Sequence, residues 1–291
     1  MRDSDVNLYD FSRLRQEFGP FLEQPPDAVA HTERDLVGAG YRRMLEEMTK
    51  IVTYQWRQHI TASALKGFLF HGPPGVGKTA MAKRLTYELC RAFGDSGPSN
   101  LSEDEVVLIL VDGTDIARGL YGDTETKLRE LFDLASNGSR HNQHRHDHEG
   151  GFHVHGDDPI RRTILLFDDV ESLFLTRDSG GAKEWHFSQD AAFFHHIDAL
   201  DTAHVAVILT TNRLDLVDDA IIDRFWPQAF EDPSMDALEA VARAKGGAQG
   251  LGQAEIEPLV RRIRGSQPPI RSMREVERLV MRAFVEKVLA W

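Results

Sequence analysis

Short apolar runs alternate with longer segments of helical periodicity through residues 35–232 of the chain. Four of these runs predict buried strands: Phe68–Phe70, Val106–Val111, Thr163–Phe167 and Val205–Thr210. Helical patterns precede or separate them at Tyr41–His59, Ala80–Phe93, Thr124–Ser136 and Gln189–Leu200. Strands and helices that alternate in this way form a parallel sheet with helices on both faces. The pattern therefore predicts an α/β fold with three layers, helix–sheet–helix.

The pattern changes at both ends of this region. After Pro233 the apolar residues follow helical spacing, which predicts three helices at Ser234–Lys245, Gln253–Ile263 and Ile270–Leu289. Residues 1–34 are polar and contain Pro25-Pro26, which predicts a loosely attached arm or linker. The expected organisation is an arm (1–34), an α/β domain (35–232) and a small α-helical lid domain (233–291).

Composition limits the classes of protein that remain. The chain has 291 residues, 41% of them hydrophobic, which is enough for a large core. It shows neither a membrane-length apolar run nor a signal-peptide pattern, and Cys90 is its only cysteine. A reducing cytoplasm is the expected location. The net charge of −12 argues against a nucleic-acid partner.

The turn after the first predicted strand has the composition of a phosphate-binding loop. Glycines allow backbone N–H groups to surround a phosphate, and the N-terminus of the following helix adds partial positive charge. Lys78, expected to face solvent, can reach the β- and γ-phosphates, and the Thr79 hydroxyl can hold Mg²⁺. The residues predicted to bind ATP here are Gly72, Pro73, Pro74, Gly75, Val76, Gly77, Lys78, Thr79 and Ala80.

Acidic and amide side chains follow the later strands. The strand at Thr163–Phe167 ends in Asp168-Asp169, the Walker B pattern, in which Asp168 binds Mg²⁺ and Asp169 orients and deprotonates the attacking water. The strand Val205–Thr210 is followed by Asn212. Open α/β sheets bind their ligands at the carboxyl ends of their strands, so these residues belong to one predicted site.

From Asp35 onward these motifs, in this order, resemble the AAA family of ATPases within the AAA+ group of P-loop NTPases. The resemblance implies a Mg²⁺-dependent ATPase that forms a ring hexamer with ATP between subunits. Val37 and Gly38 look like the residues near adenine, and Asn212 matches the sensor-1 position. Arg224 is similar to the arginine finger that acts in trans on a neighbouring subunit, and Arg271 looks like a sensor-2 arginine.

Three features depart from the family pattern. The second Walker B acid is usually glutamate, whereas Asp169 is shorter; Glu171, two residues later, is the alternative acid. The finger segment has the single Arg224 where the family often has two arginines. Arg271 belongs to a motif of the wider AAA+ group, and its alternative interpretation is an ordinary solvated helix charge.

Two further segments carry candidate functions. Leu120, Tyr121 and Gly122 resemble pore loop 1, which grips polypeptide in the ring channel; the alternative is an ordinary turn with a packed tyrosine. A second pore loop is expected near Arg177–His186. The insert at residues 141–158 contains six histidines and almost no apolar residues, which favours a disordered surface loop over a metal site.

Two functions follow from these features. The first is an ATP-hydrolysing, ring-forming, chaperone-like motor that remodels, unfolds or disassembles a protein partner. The second is a slow-hydrolysing, nucleotide-dependent assembly scaffold or switch, suggested by the short Asp169. A nucleic-acid-associated loader is a weaker third possibility, opposed by the acidic charge and by the loop that contains Tyr121.

Overall fold

The computed structural model of the chain describes residues 7–10, 12–16, 39–93, 106–112, 123–137, 162–172 and 184–289. Within these residues lies a six-stranded sheet with the order β1-β3-β4-β5-β2-β6. Its strands are β1 (Asn7–Tyr9), β2 (Gly67–His71), β3 (Val106–Asp112), β4 (Arg162–Asp168), β5 (Val205–Thr211) and β6 (Trp226–Ala229). The pairs are parallel except for β1, which runs antiparallel to β3 at one edge.

Besides a short helix at residues 12–16, eight helices of the described chain surround or follow this sheet. They are α1 (Ala39–Arg57), α2 (Lys78–Phe93), α3 (Asp123–Asn137), α4 (Glu184–Asp198), α5 (Asp219–Ile222), α6 (Met235–Ala248), α7 (Gln253–Arg264) and α8 (Met273–Leu289). The predicted α/β class is confirmed, and the four predicted strands are found within one residue at either end.

Alternation along the central strands divides the core into two layers. Phe68 and Phe70 of β2 face α1 and α2, where Trp56 and Leu85 are fully buried. Leu69, between the two phenylalanines, belongs to the opposite layer with residues of α3 and α4. Each strand residue therefore contributes to one layer or the other, because successive side chains point to opposite faces of a sheet.

Both edge strands depart from the sequence-based expectation. In β6, Pro227 interrupts the strand pattern and most residues are exposed, so no buried apolar run marks it. β1 lies in the segment expected to be a loose arm, yet it pairs with β3 over Asn7–Tyr9. The short helix at residues 12–16 inserts Leu14 into the core, where it is 0% exposed.

The three C-terminal helices form their own apolar cluster. Leu238 and Ala242 of α6 meet Val260 and Ile263 of α7 together with Val276 of α8. α8 packs against both α6 and α7. In the described part of the chain, no helix has both the length and the apolar character needed to cross a membrane.

Candidate functional site

The loop between β2 and α2 has the backbone shape of an anion cradle. Gly77 has φ 102, in the left-handed region that favours glycine. No atom lies within 4 Å of a Cβ built at this position, so the glycine serves backbone conformation rather than space. α2 begins at the next residue, Lys78, and the N–H groups of a first helical turn can donate to a phosphate because they have no partner within the helix.

Lys78 is held by three oxygens at the centre of this loop. Its Nζ donates to the carbonyl of Gly72 at 2.8 Å, to that of Pro73 at 2.9 Å and to Asn212 Oδ1 at 2.8 Å. The residue is only 7% exposed, so the expectation that Lys78 faces solvent is wrong. Burial lowers the pKa of this ammonium group, and the nearby Asp169 carboxylate partly opposes that shift.

A hydroxyl and a carboxylate meet beside the start of α2. Thr79 Oγ1 lies 3.1 Å and 3.0 Å from the two carboxylate oxygens of Asp168. The hydroxyl of Thr210, on the adjacent strand β5, also donates to Asp168. Hydroxyl and carboxylate oxygens are the ligands Mg²⁺ prefers, so the pair Thr79 and Asp168 fits that ion.

Asn212 connects the lysine with the two remaining acids. Its Nδ2 donates to Asp169 Oδ1 at 2.9 Å and to Glu171 Oε1 at 3.3 Å, while its Oδ1 accepts from Lys78. Asp169 has φ 55, which turns its side chain away from the direction that β4 sets. Partial burial, followed by the charges of Asp168 and Glu171, raises the pKa of the Asp169 carboxyl.

The first turn of α8 contacts the phosphate-binding loop. The Met273 N–H donates to the carbonyl of Gly75 at 2.9 Å. A Cβ added at Gly75 would lie 3.0 Å from that of Ser272 and 3.2 Å from that of Arg274, which leaves little room for a side chain. Arg274 contributes to the lowered pKa of Lys78. Arg271, the predicted sensor-2 residue, is exposed.

Tyr41 of α1 joins this loop to the segment that leads into the lid helices. Its hydroxyl lies 3.3 Å from the carbonyl oxygen of Val76 and 3.4 Å from that of Glu231. Its ring packs on Phe230 with a centroid distance of 5.3 Å. Burial and the nearby Glu231 and Asp232 carboxylates raise the pKa of Tyr41 to about 12, so its hydroxyl stays protonated and able to donate.

Arg224 lies at the end of α5 and is bound within its own chain. Its Nε and Nη2 donate to the two carboxylate oxygens of Asp198 at 3.0 Å and 3.2 Å, and Nη1 donates to the Ala220 carbonyl at 3.0 Å. The guanidinium also lies 4.5 Å from the ring centroid of Phe194. The side chain is 33% exposed. This residue, predicted to act in trans, therefore lies in an internal ion pair.

Several predicted residues lie outside the described part of the chain. They are the adenine candidates Val37 and Gly38, the pore-loop candidates Leu120, Tyr121 and Gly122, residues 177–183 of the second pore loop, and the whole histidine-rich insert at 141–158. The site described above therefore consists of the phosphate-binding loop, the ends of β4 and β5, and the start of α8.

Two residues that lie at this site were not predicted as site residues from the sequence. The apolar pattern assigns Thr210 only to a strand, although a hydroxyl at the carboxyl end of β5, beside the end of β4, is positioned to contact Asp168. The sensor-2 resemblance favours Arg271 over Arg274, although both belong to the same short motif at the start of α8. Arg271 lies two residues before α8 and Arg274 lies in its first turn, so the motif alone does not show which of them approaches the site.

A phosphate-binding loop after β2 and an acidic pair at the end of β4, with β5 between the two strands of a mostly parallel sheet, define the P-loop nucleoside triphosphatase class. The chain belongs to the AAA family: residues 68–231 match the ATPase family associated with various cellular activities.

Curated relatives agree with this family. The chain is 32% identical over 158 residues to an AAA ATPase forming ring-shaped complexes from Corynebacterium efficiens, covering 54% of this chain and 25% of the relative. A protein of the same description from Micrococcus luteus is 29% identical over 206 residues, covering 69% and 30%. A proteasome-associated ATPase from Jonesia denitrificans is 27% identical over 168 residues, covering 57% and 27%. The matches thus span between a quarter and a third of these relatives.

A solved structure shows the same fold over most of the chain. It is a chain of the E. coli MS115-1 HORMA:CdnC:Trip13 complex, with a TM-score of 0.58 and 18% identity, covering 85% of this chain and 82% of that chain. The likeness concerns the fold alone.

Proposed function

We propose that this chain is a Mg²⁺-dependent ATPase that hydrolyses ATP to ADP and phosphate. The observation that carries the proposal is the convergence of Lys78, Thr79, Asp168 and Asn212 through direct hydrogen bonds at one edge of the sheet. These residues come from three separate parts of the sequence. If the Gly-rich loop were only a turn between β2 and α2, hydrogen bonds from Lys78 and Thr79 to the ends of β5 and β4 would not be needed.

Each side chain has a distinct task in this proposal. Lys78 exchanges its bonds to the loop carbonyls for bonds to the β- and γ-phosphates and stabilises their negative charge. Thr79 and Asp168 hold Mg²⁺, which when bound neutralises charge on the phosphates. Asp169 accepts a proton from water as the water oxygen bonds to the γ-phosphorus and the bond to the bridging oxygen breaks. Asn212 bonds to both Lys78 and Asp169 and so holds the two side chains in fixed positions relative to each other.

Beyond ATP hydrolysis, we propose that the chain assembles into a ring, of six subunits by resemblance, and remodels a protein partner. Two relatives are described as ATPases forming ring-shaped complexes and one as proteasome-associated, which supports a ring and a protein substrate. The acidic net charge of −12 favours a protein partner over a nucleic acid. Arg271 or Arg274 at the start of α8 supplies a positive charge from the lid side of the site.

A slow nucleotide-dependent switch is the second candidate function. The internal ion pair of Arg224 with Asp198 favours it, because a guanidinium held in its own subunit contributes nothing to a neighbouring site. The short Asp169 favours it as well, since a misplacement of about 1 Å can cost on the order of 10²-fold in rate.

Steady-state ATPase activity measured against protein concentration tests the proposal. A ring-forming motor should turn over at roughly 0.1–10 s⁻¹ and should gain specific activity as subunits assemble. Lys78→Ala should lose hydrolysis, whereas Lys50→Ala, which removes an exposed lysine on α1, should keep it. Hydrolysis that persists in Lys78→Ala would overturn the assigned site. A slow rate that does not change with concentration would favour the switch.

A further inference from the structure

Glu171 makes two bonds to Asn212 that no general pattern of phosphate-binding loops requires. It lies in the short 3-10 helix Val170–Ser172 that follows β4. Its Oε1 accepts from the backbone N–H of Asn212 at 3.3 Å and from the Asn212 Nδ2 at 3.3 Å. These bonds fix both the end of β5 and the orientation of the amide, so that its oxygen faces Lys78 and its nitrogen faces the acids.

The two acids that surround Asn212 have different environments. Glu171 Oε2 is enclosed and has no hydrogen-bond partner in the described part of the chain. Asp169 is exposed, and its φ of 55 turns it out of line with β4. Asp169 is accessible to solvent, whereas the second oxygen of Glu171 is closed to it. The structure thus separates a water-facing acid from a supporting acid.

We propose that Glu171 is a positioning residue that acts through Asn212. It holds the amide so that one side chain sets the positions of Lys78 and Asp169 together. This inference rests on the proposed ATPase function and assigns to Glu171 a part in it that is distinct from proton transfer.

Removal of Glu171 should therefore slow the chemical step and spare nucleotide binding. In Glu171→Ala we expect kcat to fall by about 10- to 100-fold, the loss that a displacement of about 1 Å produces. The KM for ATP should stay within about threefold, because the phosphate cradle and Thr79 remain. A general loss of folding would instead reduce the fraction of active protein, which a thermal unfolding curve of each variant reports directly.

A double-mutant cycle tests whether Glu171 works through Asn212. Single-turnover hydrolysis is measured for wild type, Glu171→Ala, Asn212→Ala and the double variant, because this assay follows slow rates. We expect Glu171→Ala to cost about 10- to 100-fold alone and less than about twofold in the Asn212→Ala background. Equal losses in both backgrounds would show that Glu171 acts independently of Asn212 and would overturn the inference.

The substitution Glu171→Gln separates positioning from proton transfer. This variant keeps an oxygen that accepts from Asn212, so its kcat should remain within about threefold of wild type, even if enclosing an amide lowers its melting temperature. A rate as low as that of Glu171→Ala would mean that the negative charge itself is needed, which contradicts the proposal.

Glu46→Ala, at an exposed site on α1, is the matched control for Glu171→Ala. Hydrolysis by wild type and its loss in Lys78→Ala test the ATPase function separately.

Discussion

At the scale of single residues, the lysine that is proposed to bind ATP already has hydrogen-bond partners within the protein. Lys78 Nζ already donates to two loop carbonyls and to Asn212. A triphosphate therefore replaces existing partners of a buried cation rather than recruiting a free one. Burial lowers the pKa of Lys78, and a phosphate in place of the carbonyls restores the charge partner that the buried ammonium needs.

Asp169 allows a prediction in which stability and activity change in opposite directions. Its pKa is raised, chiefly by partial burial and then by Asp168 and Glu171, so the folded chain binds a proton there more tightly than the unfolded chain does. The free energy of unfolding therefore falls as pH rises from the ordinary aspartate pKa through the raised one. At neutral pH, Asp169→Asn should raise the melting temperature of the nucleotide-free protein and slow hydrolysis while ATP still binds.

Differential scanning fluorimetry at neutral pH and at pH ~4, near the ordinary aspartate pKa, checks this prediction. The stabilisation by Asp169→Asn should shrink at the lower pH, where the wild-type carboxyl is protonated. Asp215→Asn is a useful control, because the Arg213 hydrogen bonds lower the pKa of Asp215 and its replacement should not stabilise the protein. Full hydrolysis by Asp169→Asn would remove Asp169 from the role of base. Asp169→Glu then shows whether the site has adjusted to the shorter acid. A faster variant would mean that the shorter acid slows the site, which favours the switch. A slower variant would mean that the surrounding backbone has adjusted to the shorter acid, which favours a working motor.

At the scale of secondary-structure elements, buried strands were predictable and exposed ones were not. β2 through β5 are marked by apolar runs because both of their faces are covered. β6 has exposed residues and Pro227, and β1 is three residues long, so neither has a run that periodicity can detect. Tertiary pairing rather than local sequence creates these edge strands.

The same limit applies to the candidate site. Motifs identified Lys78, Thr79, Asp168 and Asn212, because their spacing along the chain follows from the order of strands and turns. The bonds of Glu171 to Asn212 depend on a 3-10 turn and on the end of β5, which share no local pattern. The ion pair joins Arg224, just after α5, to Asp198, the last residue of α4, which lies 26 positions earlier in the sequence. Such contacts depend on packing that spacing does not encode.

The N-terminal segment gives a prediction at this scale. Leu14 is 0% exposed in the core, whereas Leu8, on β1, is 44% exposed. Leu14→Ala should lower the free energy of unfolding by about 2–4 kcal/mol, within the range for buried leucines. Leu8→Ala removes the same atoms from an exposed position and should cost less than about 1 kcal/mol. Urea unfolding of both variants measures the difference, and equal losses would contradict the packing of this segment.

At the scale of the whole molecule, the C-terminal helices and the α/β sheet region meet at the phosphate-binding loop. α8 donates from Met273 to Gly75, and Tyr41 of α1 lies between Val76 and Glu231. A nucleotide that moves this loop would therefore also move the start of α8 and the segment around Glu231, which are bonded to it directly or through Tyr41. The lid helices share their own apolar cluster, which allows them to move as one body. In the proposed ring, this connection would link phosphate binding to a change of shape at the neighbouring subunit.

In the proposed ring, Arg224 would determine whether the subunits hydrolyse ATP cooperatively. If its pair with Asp198 opens on assembly, Arg224 reaches the neighbouring ATP, where a finger of this kind is worth on the order of 10³–10⁵-fold in rate. Mixing Arg224→Ala subunits with Lys78→Ala subunits should then restore part of the activity, because the two lesions can lie at different interfaces. Asp198→Ala frees the guanidinium from its internal partner and should raise the rate of the intact ring.

Light scattering must show rings in each mixture, so that a lack of recovery is not a lack of assembly. With rings present, no recovery at any mixing ratio, together with an unchanged rate in Asp198→Ala, would assign Arg224 to a structural pair between α4 and α5. Its bonds to Ala220 and its contact with Phe194 already give it that role in one subunit. Recovery in the mixture combined with a faster Asp198→Ala variant would instead mean that the ion pair restrains the enzyme, because breaking it increases the rate at the neighbouring site.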